Sequence, residues 1–226
     1  MSWISKLRIA GRRNGKIAVK RRSGFDQVST IEAGLGLHDQ TLEQKMYRLR
    51  FLAILLRCLI SEKAPVDRER RLFFRAIPLI DTDFNRMFTH SYALFMGLAR
   101  WHLLFGSQFR NLALRHKWAP VTTCELINYK RAIRAFQRFE LRTRVIHWDE
   151  ERFYVEQYFD VDGQTFVATL VQGLVRGPQG ILKPRDVFAQ AGYEGPAPEA
   201  SQETKEQIAL LKTVARQPLS PKRSSQ

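Results

Sequence analysis

Asp81-Thr82-Asp83-Phe84-Asn85 puts two carboxylates and an amide just ahead of a run, Ser91 to Arg110, that contains no acid. A carboxylate at the mouth of an apolar helix is costly to place, and Arg86 is the only nearby cation that could neutralise it. If Asp83 points inward, it faces the positive end of that helix and any carbonyl held there. That arrangement suits acyl-transfer hydrolysis. The plainer reading makes Asp83 a turn residue that caps its neighbours. His90 could take a polar role beside it or be a surface histidine, and Thr89 could cap the helix.

The elements that must position these residues follow from periodicity. Thr41 to Ser61 reads as a helix, with Leu42, Met46, Leu49, Leu52, Leu56 and Ile60 at helical spacing. Thr41 and Gln44 form a capping-box pattern, and Pro65 stops the run. Arg71 to Ile80 reads as a strand, with Pro78 at an edge or bulge. Ser91 to Arg110 is expected as a helix apolar nearly all round, hence buried nearly all round.

The period then becomes two. Thr122 to Arg131 and Gln137 to His147 are expected strands. Phe139, Leu141, Thr143 and Val145 share one face, and Arg138, Glu140, Arg142 and Arg144 share the other. Glu151 to Asp160 alternates again, and Asp162-Gly163 signals a tight turn. Thr165 to Val175 is apolar on both faces, so it is either central or paired across a subunit interface. A short helix over Pro184 to Ala191 follows, then a weak one around Glu203 to Val214.

One strand, one buried helix and four consecutive antiparallel strands define an α+β protein. A curved antiparallel sheet wrapped around one long buried helix, a hotdog fold, supplies the cover such a helix needs. The N-terminal helix and basic tails are additions to it. The apolar last strand suggests a homodimer that continues the sheet.

The chain also resembles the 4-hydroxybenzoyl-CoA thioesterase-like group of hotdog acyl-CoA thioesterases, over roughly residues 46–192. The family pattern is Asp-x-Asp-x-Asn/Gly, then His, a small apolar residue, Asn-Asn and a Tyr. Here it is Asp81-Thr82-Asp83-Phe84-Asn85-Arg86 and Tyr92. Trp118-Ala119-Pro120-Val121, Phe136 to Arg144, Trp148-Asp149-Glu150 and Phe153 to Gln157 are similar to later family segments. The resemblance implies hydrolysis of a fatty or aromatic acyl-CoA thioester. Asp83 would be the nucleophile or base, and amides at the start of the Ser91 helix the oxyanion donors. Asn85, Thr89, His90 and Tyr92 would flank the thioester. Phe95 and Leu98 would line the acyl chain. Lys130, Arg131 and Arg134, with Arg138, would meet the coenzyme A phosphates. No metal or resident cofactor is implied, because the coenzyme A moiety belongs to the substrate. Met87-Phe88-Thr89-His90 departs from the family's His-Met-Asn-Asn and is one residue shorter. A second reading is therefore a catalytically inactive hotdog subunit that serves a larger, possibly mitochondrial, assembly.

The chain has 226 residues, 44% apolar and 26% charged, with a net charge of +15. Residues 1–24 hold eight cations and no acid. This reads equally as an organellar transit peptide or as a basic arm for RNA or anionic lipid. Three parts are expected: 1–40, a basic arm, linker or targeting segment; 41–192, the hotdog thioesterase-like domain; 193–226, a polar tail ending in Lys222 and Arg223. No run is long enough for a transmembrane segment. Cys58 and Cys124 form no disulfide framework, which fits a reducing compartment. The mitochondrial matrix or cytoplasm is expected.

Overall fold

The computed structural model describes residues 42–65, 67–193 and 195–216. The 1–40 arm, Thr41 with its capping box, and Lys222 and Arg223 lie outside the described residues.

Leu42–Ile60 form α1 from strong helix formers, mainly Leu, Arg, Ala, Glu and Lys. Its inner side carries Phe51, Ile54 and Cys58. Arg70–Arg75 form β1. This strand ends five residues before the expected Ile80. Pro78 has no N–H to give a ladder, and Leu79 sits in the left-handed region at φ 63°. The chain turns there instead, with the Asp81 N–H donating to the Ile77 carbonyl at 2.8 Å.

Thr89–Phe105 form α2. The single helix expected to reach Arg110 is two helices. Arg70 donates to the Gly106 carbonyl and so caps the end of α2. The Ser107 hydroxyl then accepts the Phe109 N–H at 3.3 Å as α3, Phe109–His116, begins. The first of these signals is not local, because Arg70 lies 36 residues away.

The strands are β2 (Ala119–Tyr129), β3 (Arg138–Trp148), β4 (Phe153–Val161), β5 (Gln164–Gly177) and β6 (Gly180–Leu182). Their order is β1-β3-β4-β5-β2, with β6 paired to β5. All neighbours are antiparallel. The double-faced apolar run of β5 is therefore central, between β4 and β2. The open edges are β1 and β2, so an apolar last strand no longer argues for a dimer.

Register shifts in β2, β3 and at the β4–β5 pairing bend the sheet around α2, giving the hotdog fold. Tyr92, Phe95 and Met96 of α2 pack on Leu72, Phe139 and Phe159. Beyond them, Leu103 and Phe109 join Trp148, Val155 and Val171. Pro184–Gln190 form α4, whose Phe188 stacks on Trp148 with centroids 4.0 Å apart.

The stretch read as a polar tail is largely structured. Gln202–Arg216 form α5, and its Ile208 and Leu211 are buried against Ile146, Tyr154 and Leu170 on the convex side of the sheet. Lys212 pairs with Asp149 at 2.8 Å, and a ring nitrogen of His147 lies 2.9 Å from the Pro198 carbonyl.

Candidate active site

The two aspartates of the loop before α2 take opposite roles. Asp81 is the inward one. Both its oxygens accept from the Arg50 guanidinium of α1 at 2.7 Å, and Oδ2 also accepts the Ile77 N–H at 2.8 Å. Arg50 in turn lies over the Phe95 ring, 4.7 Å from its centroid. Such a bidentate pair fixes direction as well as distance.

Asp83 faces solvent, contrary to the expectation that it points inward. With Asp81 and Thr82 occupying the buried side, the next four residues loop outward. One Asp83 oxygen accepts the Asn85 and Arg86 amides at 2.8 and 2.7 Å. The Arg86 and then the Asn85 amide hold its carboxyl below the usual range. Its second oxygen takes no hydrogen bond among the described residues. Asn85, Thr89 and His90 are exposed.

Phe88 is the N-cap of α2 and no side chain caps it, so Thr89 does not take that role. The Thr89 and His90 amides find no acceptor among the described residues and remain available donors at the positive end of α2. The His90 ring stacks on Phe88, and its Nε2 meets the Glu43 carboxylate of α1. Glu43 was not singled out in the sequence, where 47 residues separate the two.

Tyr92 is buried rather than open to a ligand. Its hydroxyl accepts the Ile133 N–H at 3.0 Å. Burial, partly offset by this bond, pushes its phenol up. The Ile133 carbonyl accepts the Met87 N–H at 2.8 Å. Ile133 thereby joins the Asp83 loop to the β2–β3 connection that carries Arg131 and Arg134. Arg131 donates to Gln164 at 2.7 Å, and Arg134 is exposed. Lys130 instead lines a groove on the convex side, beside Asn128 and Arg144.

A cavity of about 240 Å³ lies beside the second half of α2. Gly97, Trp101 and Leu104 line it from the helix, and Val145, Val155 and Val171 from the sheet. Phe95 and Leu98, the expected acyl contacts, lie on other sides of α2 within the packed core. At a rise of 1.5 Å per residue, Gly97 is about 12 Å along the helix from Thr89. The cavity and the Asp83 loop are thus separate places on one helix.

Arg100 is the charged group at the cavity. It pairs with Glu125 at 2.9 Å and donates to the Gln157 side-chain oxygen Oε1 at 3.1 Å. The Gln157 amide donates to Thr143 and to the Met96 carbonyl. A lone arginine within an apolar helix was the available sequence signal for this polar layer.

Residues 77–176 match the thioesterase-like superfamily. The match covers 100 of the 226 residues. Protein THEM6 of Danio rerio is 38% identical to the chain over 71 residues, 30% of this chain and 35% of that protein. Protein THEM6 of Xenopus laevis is 42% identical over 45 residues, 20% of this chain and 22% of that protein. The chain thus spans about a third or less of these relatives' own length. A probable thioesterase from Bartonella henselae is 22% identical with a TM-score of 0.46, covering 51% of this chain and 98% of that one. The match to the superfamily begins at Ile77 and ends at Arg176. Both the Asp83 loop and the strands lining the cavity fall inside it, whereas α1, with Arg50 and Glu43, precedes it.

Proposed function

We propose that the domain binds an acyl thioester of coenzyme A and hydrolyses it, with Asp83 as base or nucleophile. One observation carries this reading. Within the eight residues from Asp83 to His90 lie a solvent-facing carboxylate with a free oxygen and two unpaired amides at the start of α2. The carboxylate would activate water or attack the thioester carbon, and the amides would stabilise the developing oxyanion. His90, oriented by Glu43, is the neighbouring proton carrier.

An apolar cavity of about 150 Å³ accepts benzene, so the cavity of about 240 Å³, which begins about 12 Å along α2 from Thr89, would hold the far end of an acyl chain long enough to reach it from a thioester at Asp83. Arg131 and Arg134 would meet the coenzyme A phosphates. A second copy would cover the β2 edge and the exposed Phe84 beside Asp83, so the working unit is a homodimer. The acid-free basic stretch 1–24 supports a mitochondrial or cytoplasmic setting.

Thiol release from a panel of acyl-CoAs tests the proposal. Asp83→Asn lowers turnover by about 10²–10⁴-fold if Asp83 acts as stated. A second reading is a silent binding subunit, favoured by the two backbone bonds that make Asp83 a turn cap. Acyl-CoA binding without turnover by the wild type supports that alternative.

A further inference from the structure

The outer side of α1 is unusual for a water-facing helix. Leu42, Leu49, Leu52, Leu56, Leu59 and Ile60 fall on one side, at the three- and four-residue steps of a helix. Their exposure runs from 50% for Leu52 to 87% for Ile60. Six half-open or more open aliphatic side chains on one stripe exceed what a water-facing surface ordinarily leaves. The inner side of the same helix is spent on α2, so α1 is apolar on both sides. No helix of the described residues is long and apolar enough to cross a membrane.

The charges at the margins of this ridge are mainly basic. At 100° per residue, Arg48 and Arg57 fall at its two margins and the exposed Lys45 falls within it, near Leu42 and Leu49. At its C-terminal end, Arg57, Lys63, Arg68 and Arg70 line one pocket. Glu69 beside them is engaged by Arg71 and Arg142, leaving Glu62 as the nearby free acid. None of the ion pairs among the described residues uses Arg57, Lys63 or Arg68.

We infer that α1 docks the protein on an anionic lipid surface, with the leucine ridge entering the headgroup–acyl boundary and the marginal arginines meeting the phosphates. An apolar stripe bordered by cations is the pattern of a helix lying in a bilayer interface. Other occupants fit the charges less well. A second copy laid on the ridge in either orientation brings arginine margins against arginine margins. Residues 1–24, with eight cations and no acid, repel the same margins.

The test is flotation of the full chain with vesicles of phosphatidylcholine alone or containing a third phosphatidylglycerol. Binding is expected on the anionic vesicles, weakened by salt, and cut about tenfold or more by Leu52→Ser with Leu56→Ser. An unchanged melting temperature shows that this exposed pair was not needed for folding. In a second variant, Leu56→Trp, fluorescence shifts to the blue on anionic vesicles, reporting insertion directly. Undiminished binding by the serine variant overturns the proposal and assigns attachment to the basic arm. No binding to either vesicle also overturns it. So does a dimer, seen by light scattering, that the serine variant breaks, because the ridge then serves a second copy.

Discussion

Arg50 and Asp81 meet as a bidentate ion pair, with both bonds at 2.7 Å, and this contact ties α1 to the loop that starts α2. Asp81 is almost fully buried, so removing its partner strands a charge away from water. Arg50→Met is expected to cost about 3–5 kcal/mol, measured by urea unfolding. A cost below about 1 kcal/mol means that water already reaches the pair. Arg50→Lys keeps the charge but loses the fork, and recovers only part of the loss.

His102 sets a pH limit on stability. Burial, then the nearby Arg70 and Arg57 charges, push its imidazole down to about 4. An unfolded histidine takes its proton near pH 6.5. Between those values the unfolded chain holds more protons, so this contribution is complete above about pH 6.5 and is lost as pH falls toward 4. Allowing for its partial exposure, the loss is on the order of 1–2 kcal/mol. His102→Asn should flatten the stability profile in that window. An unchanged slope places the titration on another group.

Helix α5 is held by a polar clasp as well as by its apolar side. Burial raises the Asp149 carboxyl, but Lys212, the Glu151 and Arg152 amides and Tyr154 together outweigh it and hold the group at about 2. The resulting stability is present above pH 3.8 and lost as pH falls toward 2. At neutral pH, Leu211→Ala is expected to cost about 2–4 kcal/mol. Hydrogen exchange should then rise first in Gln202–Arg216. Exchange that rises equally in β3 and β4 would show that α5 unfolds only with the sheet.

Gly173 lies beneath the Phe153 ring. A Cβ built there would sit 2.4 Å from the nearest ring atom. Gly173→Ala is therefore expected to destabilise by about 1–3 kcal/mol. Phe153 lines the cavity beside α2, so the displaced ring should also weaken uptake of an apolar dye there. Full stability together with full dye uptake would mean that the ring moves aside freely.

Much of the sheet could be read from the chain because its signals are local. Phe139, Leu141, Thr143 and Val145 alternate with charged neighbours, and all four are buried. Asp162 and Gly163 take φ of 50° and 77°, as a tight hairpin turn requires. What could not be read depends on distant partners. Which aspartate turns inward is decided by Arg50, 31 residues away. The end of α2 is decided by Arg70, and the place of α5 by Ile146, Tyr154 and Leu170, which meet only once the sheet has formed. The His90–Glu43 pair likewise needs α1 folded against α2.

The cover that α5 gives the convex side limits how this domain can combine with others. Curled sheets can stack back to back, and here the middle of that back is already occupied by the chain itself. Lateral growth through the β2 edge and contact through α1 remain, on different elements. Stacking in layers would first require α5 to come off.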